Sequence, residues 1–408
     1  MPNLAELNCS GCDKITDQSI KQLTNLTFLN CCNSTNITDE SVRYLLNLTN
    51  LYCDGCYYIT DLSVRYLLNL THLNCYSNKL ITDESIRGLI NLKYLMCYYN
   101  INITDKSILH LSNLTSLYCN GCTNIIDLSV RGLTNLKYLS CTECHNITDV
   151  SIQNLVNLVT LNCEECENIT DVSFTKINNL TTLICGNSKN ITDASLMKIN
   201  NLTTLICSDC QNITDASIGC MSNLIHLDCS GCENITDVSI QHLVNMKILN
   251  CVDCNKITDV SIMYLTKLEK LYCYESNGIT DASIINLVNL TDLDCHECMN
   301  ITDVSIKKLV NLQRLICSDC DQNITDASIQ HLSLCKNLTE LICGGCYGIT
   351  DASIRNLVNL TKLHCSGCGD ITDASIGNLV NLTDLYCASC HGITDGMKQM
   401  IESRRWKN

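Results

Sequence analysis

Several residue types that commonly interrupt or anchor folds are nearly missing from this chain. Its 408 residues include one proline, one tryptophan and two phenylalanines. Because proline cannot continue a helix or a central strand, its confinement to Pro2 leaves the rest of the chain free for regular structure. No apolar run reaches the ~18 residues of a membrane span, and no basic segment with an apolar core opens the chain. The sequence therefore predicts a soluble, cytoplasmic protein.

A clustered basic stripe is also missing, apart from the short tail Arg404, Arg405 and Lys407. The formal net charge is −15, from 42 acidic and 27 basic residues. Eighteen of the acids are aspartates of one recurring motif, at predicted helix starts where negative charge is favourable. The acidity therefore comes from the repeat and does not indicate a basic partner. Since nucleic-acid binding needs clustered positive charge, nucleic acid is not predicted as a partner.

What the chain has in abundance is one motif. The triplet Ile-Thr-Asp, or a close variant of it, recurs eighteen times, at first every 22 residues and finally at spacings of 23, 25, 22 and 22. A fixed period of ~20–29 residues is typical of a stacked solenoid, in which no unit can bury its apolar face alone. The motif aspartates are Asp17, Asp39, Asp61, Asp83, Asp105, Asp127, Asp149, Asp171, Asp193, Asp215, Asp237, Asp259, Asp281, Asp303, Asp326, Asp351, Asp373 and Asp395.

Within one repeat, the apolar period changes from that of a strand to that of a helix. Leu117 and Cys119 are two residues apart, as in a strand with one buried face, and Ile240 and Leu243 are three apart, as in a helical turn. The threonine and aspartate of the triplet stand where the helix begins, and both are good N-caps. The sequence predicts one short strand and a helix of about two turns, partly 3-10, in every repeat.

Two further polar positions recur. A serine follows the aspartate by two residues in 17 of 18 copies, and we expect its small side chain to allow close contact between neighbouring helices. An asparagine precedes the next leucine in most copies. Because asparagine tolerates the left-handed conformation, we expect it to end the helix in that conformation.

The repeat, written Leu-x-x-Leu-x-Cys-x-x-Cys-x-x-Ile-Thr-Asp, resembles the leucine-rich repeat over about residues 4–395. Its Cys-x-x-Ile-Thr-Asp portion is similar to the cysteine-containing subtype known from F-box ubiquitin-ligase substrate receptors. The short asparagine-rich unit also resembles leucine-rich-repeat proteins of giant DNA viruses of amoebae. The resemblance implies an α/β fold, a right-handed solenoid or horseshoe of about 18 repeats. A parallel sheet would form the concave face, and short α or 3-10 helices the convex face.

We expect residues 1–395 to form this solenoid without an internal boundary, and residues 396–408 to form a capping helix and basic tail. After the last triplet, Met397, Met400 and Ile401 are mixed with charged residues. This amphipathic pattern predicts a helix whose polar face covers the exposed end of the core. Trp406, the only tryptophan, is expected either to cover the same cap or to serve as an interaction residue.

The 34 cysteines allow three interpretations: zinc clusters, disulfides, or reduced thiols buried as core residues. Every repeat has a cysteine at a first site, where the resembling family places an inward leucine, and a thiol is a small, often buried hydrophobe. A second site holds cysteine in 13 repeats and Ser34, Asn78, Asn100, Ser188 or Ser276 in the others. Serine and asparagine can bond the backbone there but are poor zinc ligands and form no disulfides. The substitutions therefore favour ladders of reduced thiols, with no metal and no cofactor.

No catalytic constellation recurs, because the histidines occupy variable positions with no nucleophile beside them. We therefore predict a non-enzymatic interaction module that binds a protein partner along its concave sheet. The resemblance gives an alternative, a substrate receptor or adaptor that works with ubiquitin-ligase components through another subunit, since we expect no F-box in this chain. A metal- or redox-active cysteine protein is a third hypothesis. For a viral protein, the expected location is the host cytoplasm.

Residues that flank the inward leucine and first cysteine of each strand must point to the opposite face of the sheet. These positions hold mostly asparagine, serine and threonine, but eleven of the 16 tyrosines lie between residues 44 and 138. Because tyrosine is enriched in interface hot spots, we predict a partner-binding site there. Its candidate residues are Tyr52, His72, Tyr76, Tyr94, Met96, Tyr98, Tyr99, Tyr118 and Tyr138. A secondary, acidic candidate consists of Asp228, Tyr272, Tyr274, Asp292, Asp294, His296 and Glu297.

Overall fold

Each repeat begins with a β-strand of three residues whose central residue is a leucine. The structure, a computed structural model, describes residues 4–320 and 323–405. In those residues there are 18 such strands, nine in each of two compact units, Met1–Leu202 (unit 1) and Thr203–Asn408 (unit 2). The strands of unit 1 are β1 Glu6–Asn8, β2 Phe28–Asn30, β3 Asn50–Tyr52, β4 His72–Asn74, β5 Tyr94–Met96, β6 Ser116–Tyr118, β7 Tyr138–Ser140, β8 Thr160–Asn162 and β9 Thr182–Ile184. The strands of unit 2 are β10 Thr204–Ile206, β11 His226–Asp228, β12 Ile248–Asn250, β13 Lys270–Tyr272, β14 Asp292–Asp294, β15 Arg314–Ile316, β16 Glu340–Ile342, β17 Lys362–His364 and β18 Asp384–Tyr386.

Within each unit, every strand pairs in parallel with the strand of the next repeat. The register places equivalent residues opposite each other, as Leu51 opposite Leu73 in unit 1 and Leu271 opposite Leu293 in unit 2. Because side chains alternate between the two faces of a strand, this register stacks all leucines on one face. The other face, which we call the outer strand face, carries the variable residues.

A single helical turn follows most strands and begins at the motif aspartate. The helices of unit 1 are α1 Asp17–Ile20, α2 Asp39–Val42, α3 Asp61–Val64, α4 Asp83–Ile86, α5 Asp105–Ile108, α6 Asp127–Val130, α7 Asp149–Ile152 and α8 Asp193–Leu196, with a 3-10 turn at Ser173–Thr175. The helices of unit 2 are α9 Asp215–Ile218, α10 Asp237–Ile240, α11 Asp259–Ile262, α12 Asp281–Ile284, α13 Asp303–Ile306, α14 Asp326–Leu332, α15 Asp351–Ile354, α16 Asp373–Ile376 and α17 Asp395–Arg405. The predicted alternation of strand and helix is confirmed.

Most of these helices have four residues, so the prediction of about two turns was too long. After α3, the amides of Leu67 and Leu70 bond the carbonyls of Val64 and Leu67, three residues back, at 3.0 Å each. Both leucines are fully buried. The chain turns toward the core to bury them, and these tighter bonds replace a second α-helical turn.

The core of one repeat is a column of small and aliphatic side chains. Leu117 and Cys119 of the strand, Ile125 of the triplet, and Val130 and Leu133 of the helical segment are at most 1% exposed. Burying an aliphatic side chain of this size contributes about 1.5–3 kcal/mol. Repetition of this column with the 22-residue period explains why the apolar pattern of the sequence predicts the fold.

The left-handed backbone lies elsewhere than predicted. In the described residues, it occurs immediately before the second cysteine site, for example at Tyr99 (φ 56°) and Gly121 (φ 67°). The asparagine before the next leucine does not adopt it. Asn47 instead donates from Nδ2 to the carbonyl oxygen of Thr24 in the preceding repeat, at 2.9 Å. Equivalent asparagines, such as Asn113, make the same bond, here to Ile90 at 3.0 Å.

The helix α17 follows the last strand of unit 2. Ile401 is 1% exposed, and Nη1 of Arg404 donates to the carbonyl oxygen of Leu379 at 2.7 Å. These contacts place α17 against the final repeat. Trp406 and Lys407 lie outside the described residues. In the described part of the chain, no helix combines the length and hydrophobicity needed to cross a bilayer.

Candidate functional site

The first cysteine of each repeat is a core residue. Sγ of Cys119 donates to the carbonyl oxygen of Ser140 at 3.5 Å, and Cys53 does the same to Asn74 at 3.3 Å. Burial raises the pKa of the Cys53 thiol well above its ordinary value. A thiol held in its protonated form is a poor nucleophile and a poor metal ligand. The prediction that the first cysteine is buried in place of an inward leucine is confirmed.

The second site bonds neighbouring repeats of unit 1 to each other. Sγ of Cys122 donates to the carbonyl oxygen of Cys97 at 2.9 Å, and the hydroxyl of Ser34 donates to Cys9 at 2.9 Å. The amide of Asn78 reaches a neighbouring carbonyl, that of Cys56, at 3.0 Å. Cysteine, serine and asparagine therefore all donate to the backbone of the preceding repeat, as predicted.

The thiols approach each other without forming disulfides. Sγ of Cys56 donates to Sγ of Cys31 at 3.8 Å, and none of the 34 cysteines is in a disulfide. In residues 4–320 and 323–405, no three or more histidine, cysteine, aspartate or glutamate side chains are grouped to hold a metal ion.

A second ladder runs through the motif aspartates, and the sequence did not reveal it. Oδ1 and Oδ2 of Asp17 accept hydrogen bonds from the amide and hydroxyl of Thr38, both at 2.8 Å, and Oδ1 also accepts from the hydroxyl of Ser41 at 2.6 Å. The aspartate therefore organises the start of the next helix, while Thr38 caps its own helix by accepting from Glu40 at 3.1 Å. The recurring serine is needed as a donor, in addition to being small.

The aspartate ladder has a defect where α6 begins. At position 126 an isoleucine replaces the usual threonine, and α6 has no side-chain cap. Asp105, which is 8% exposed, still accepts from the amide of Ile126 at 3.0 Å and from the hydroxyl of Ser129. Its Oδ2 atom is buried without a hydrogen-bond partner.

On the outer strand face of unit 1, predicted site residues form a connected group of rings. Ring centroids of His72 and Tyr94 are 5.8 Å apart, those of Tyr94 and Tyr118 are 5.2 Å apart, and those of Tyr98 and Tyr118 are 6.2 Å apart. Tyr76 joins Tyr98 edge-to-face at 5.8 Å. These five residues, on the strands and strand ends of three consecutive repeats, form what we call the aromatic patch.

The other predicted residues lie around this patch. The hydroxyl of Tyr94 is 4.0 Å from Sδ of Met96, and the ring of Tyr99 lies 6.4 Å from that of Tyr76. Tyr138, on β7, is 41% exposed and makes no ring contact among the described residues. The ring centroids of Tyr52 and Phe28 are 5.5 Å apart.

Two residues of this region were missed. Phe28 occupies the same strand position as His72 and Tyr94. The sequence prediction did not include it because the prediction was based on the distribution of tyrosine. Gly121 lies directly under Tyr99, so that a Cβ atom at this position would collide with the Tyr99 ring. Glycine at position 121 therefore keeps room for the tyrosine. In the sequence, this contact is indicated only by the position of Gly121, one repeat after Tyr99.

The aromatic patch is uncharged at neutral pH. Burial raises the pKa of Tyr94 to about 12 and also raises the pKa of Tyr98 and of Tyr118. Burial, assisted by the nearby positive charge of Lys93, lowers the pKa of His72 below its ordinary value. The patch therefore presents apolar ring area with hydroxyl groups and no formal charge.

The secondary candidate forms a cluster in unit 2. Tyr274 stacks on His296 with centroids 4.7 Å apart, and His296 lies 3.7 Å from Asp294 and 3.6 Å from Glu297. Tyr272 faces Asp294 across the β13–β14 pair. Asp228 is not part of this cluster, because Asn250 of β12 lies between it and Tyr272.

Basic side chains on neighbouring strands partly neutralise the acidic residues of this part of unit 2. These ion pairs were not predicted from the sequence. The first residues of β13 to β18 alternate in charge, and Asp292 lies 3.6 Å from Lys270. Glu340 contacts Arg314 at 3.2 Å and Lys362 at 2.9 Å. Although burial opposes it, these two cations hold the pKa of Glu340 below its ordinary value. The row is Lys270, Asp292, Arg314, Glu340, Lys362 and Asp384.

Structural comparison finds repeat proteins of the same architecture. The functional domain of InlJ from Listeria monocytogenes, which includes a cysteine ladder, is 28% identical, with 83% of this chain and 73% of that chain covered and a TM-score of 0.57. The internalin InlF from Listeria monocytogenes is 22% identical, with 80% and 88% covered and a TM-score of 0.53. TLR13, solved in complex with ssRNA13, is 21% identical, with 94% and 59% covered and a TM-score of 0.55.

The InlF and TLR13 likenesses concern the fold alone, and no protein-family model and no curated protein matches the sequence. The likeness to InlJ extends to the internal rows of cysteine described above. With its 22-residue unit of strand and helical turn and its buried thiols, this chain has the leucine-rich-repeat solenoid fold with a cysteine ladder.

Proposed function

We propose that this protein is a non-enzymatic interaction module that binds a protein partner through the aromatic patch of unit 1. The observation that carries the proposal is the unbroken series of ring contacts from His72 through Tyr94, Tyr118 and Tyr98 to Tyr76. Tyrosine supplies a large contact area with a polar tip and is enriched among the residues that dominate binding energy. Strand propensity alone would distribute tyrosine over all eighteen equivalent strands.

The arrangement of the rings also favours binding. The five side chains are half-buried against one another, so they lose little conformational freedom when a partner covers them. No ion pair involves them within the described residues, so the partner surface needs to be apolar with a few hydrogen-bonding groups rather than charged. The cluster of Tyr274 and His296 in unit 2 is a weaker second site, because its acidic neighbours are partly neutralised.

A reducing cytoplasm, that of the host if the protein is viral, is the compartment we propose for this activity. The support is chemical, since a chain with 34 cysteines keeps its thiols most readily in a reducing compartment.

The test is affinity purification from cells with the wild-type protein and two variants. In the first variant, Tyr76, Tyr94, Tyr98 and Tyr118 are changed to serine, and loss of the co-purifying protein is expected. In the second, the exposed Tyr264 and Tyr347 of unit 2 are changed to serine, and binding should persist. Circular dichroism checks that both variants remain folded. A partner that binds the first folded variant unchanged would refute the site.

The identity of the captured protein separates the hypotheses. A cullin-ligase component among the captured proteins would support the alternative role as an adaptor for ubiquitin ligation. Its absence, with another protein retained through the tyrosines, would support a simple interaction module.

A further inference from the structure

The helical side of unit 1 carries a row of positive charge that the proposed function does not use. Lys21, Arg43, Arg65 and Arg87 stand four residues after the motif aspartates of four consecutive repeats, where each ends a helix. In the five repeats that follow in unit 1, Arg131 alone repeats the charge at this position. Basic residues are therefore concentrated at the beginning of the unit.

Two of the arginines are held in a fixed orientation. Nε of Arg43 donates to the carbonyl oxygen of Asp39 at 2.8 Å, and Nε of Arg65 donates to that of Asp61 at 2.9 Å. Within the described residues, neither guanidinium forms an ion pair. Because Nε is occupied, the two terminal nitrogens of each guanidinium remain for an external acceptor.

Large apolar side chains alternate with these cations. Tyr44 and Tyr66 directly follow the arginines and are 47% and 57% exposed. Two residues further on, Leu46, Leu68 and Ile90 are 51%, 54% and 56% exposed. Large exposed apolar side chains therefore recur at equivalent positions of consecutive repeats, and exposed apolar surface of this kind is typical of interaction sites when it is grouped.

The cations and the rings are in contact. Nζ of Lys21 lies 5.3 Å from the ring centroid of Tyr44, and the guanidinium carbon of Arg65 lies 5.7 Å from that of Tyr66. A cation near an aromatic face at this distance is attracted by the ring. We call the whole surface the basic–apolar strip; its residues are Lys21, Arg43, Tyr44, Leu46, Arg65, Tyr66, Leu68, Arg87 and Ile90.

We propose that the basic–apolar strip docks an acidic protein segment that has apolar side chains between its carboxylates. The terminal nitrogens of a fixed guanidinium match the two oxygens of a carboxylate, and this bidentate pairing is geometrically specific. The tyrosine, leucine and isoleucine side chains supply the apolar contact area between the charged pairs. The occupant thus complements the strip both in charge and in hydrophobicity.

Two acidic residues favour a protein over an anionic lipid surface. Glu40 and Glu84 are exposed and interleave with the cations, and Glu84 lies 3.4 Å from Arg87. A uniformly anionic bilayer would repel both glutamates, whereas a protein segment with its own charge pattern can avoid them.

The proposal is tested with a fluorescein-labelled peptide of alternating glutamate and leucine, measured by fluorescence anisotropy with the full-length protein. The wild-type protein should bind the peptide, and the double variant Arg43→Glu, Arg65→Glu should bind it about tenfold or more weakly. The matched control is Arg355→Glu. Arg355 has the same tether, Nε to the carbonyl oxygen of Asp351 at 2.7 Å, but Asn356 follows it in place of tyrosine.

The outcomes separate this surface from the aromatic patch. Loss of binding in the double variant, with binding retained in Arg355→Glu and in the aromatic-patch variant, supports the proposal. No binding by the wild-type protein, or equal loss in Arg355→Glu, overturns it. Binding of phosphatidylserine vesicles that depends on Arg43 and Arg65, without peptide binding, also overturns it and identifies a membrane-binding surface instead.

Discussion

Restoring the missing threonine of the aspartate ladder should stabilise the protein. Ile126 leaves Oδ2 of Asp105 buried without a partner and leaves α6 without a side-chain cap. At the equivalent position of repeat three, the hydroxyl of Thr60 donates to Oδ2 of Asp39 at 2.6 Å and accepts from the amide of Leu62 at 3.1 Å. The helices that follow, α3 and α6, share the sequence Asp-Leu-Ser-Val, so the two sites form a matched pair.

The size of the effect follows from three contributions. Satisfying a buried acceptor recovers about 1–3 kcal/mol. A threonine cap in place of isoleucine adds about 1 kcal/mol. Removing an isoleucine side chain that is 37% exposed loses about 1 kcal/mol of apolar burial. Ile126→Thr is therefore expected to raise the free energy of unfolding by about 2 kcal/mol, and Thr60→Ile to lower it by a similar amount.

Urea unfolding measures the global change, and hydrogen exchange of single amides locates it. The amide of Leu128 should exchange more slowly in Ile126→Thr, because it gains an acceptor, while the amide of Leu62 should exchange faster in Thr60→Ile. Thr60→Val keeps the size and removes the hydroxyl, so it should reproduce most of the loss. Unchanged stability in Ile126→Thr together with a harmless Thr60→Val would refute the assigned role of the ladder.

Three other predictions follow from the ladders and the patch. Cys122→Asn should change the free energy of unfolding by only ~0.5 kcal/mol, whereas Cys119→Asn should cost about 3 kcal/mol by burying an unpartnered amide, and equal urea midpoints would contradict this. For Asp215, burial raises the pKa, but hydrogen bonds led by that of Ser239 outweigh it and lower the pKa below 3.8. The stabilisation is therefore present above that value and is lost as the pH falls through the folded pKa, so Ser239→Ala should be destabilising in neutral urea titrations and progressively less destabilising as the pH falls through the folded pKa. Tyrosinate absorbance should show a group ionising near pH 12 that disappears in Tyr94→Phe, and a normal titration of every patch tyrosine would count against its burial.

Much of the fold could be predicted because the apolar pattern within each repeat indicates which of its residues are buried. Leu117 and Cys119 alternate as a half-buried strand does, and their equivalents recur at one period. The aspartate ladder could not be predicted in the same way. Asp17 looks like a cap of its own helix, but its partners, Thr38 and Ser41, are 21 and 24 residues away. Local reading of the sequence cannot detect a bond whose two ends lie in different repeats.

The candidate site was predicted in outline. Alternation along a strand placed Tyr76, Tyr94 and Tyr118 on the outer face, where the structure has them. It could not show which rings touch, because ring contacts depend on side-chain rotation and on the stacking of strands. The basic–apolar strip was missed for another reason. Arg43 and Arg65 stand at helix ends, where a basic side chain is favourable in any helix, so they carried no distinctive signal.

The direction of the ladder bonds has a consequence for how such a chain changes length. Within each unit, cysteine, serine and asparagine of the second site donate backward to the preceding repeat, as Cys122 does, and motif aspartates such as Asp17 accept from the repeat that follows. The partners of each bond are set by equivalent positions in neighbouring repeats and do not depend on which two repeats are neighbours. Even the repeats spaced 23 and 25 residues apart keep the bonds from the amides of Thr325 and Thr350 to the preceding aspartates, both at 2.9 Å. A gene that gains or loses one whole repeat by unequal recombination therefore encodes a protein in which a new junction between regular repeats can form the same bonds. Interaction surfaces on either side can then be lengthened, shortened or shuffled without redesigning the interior.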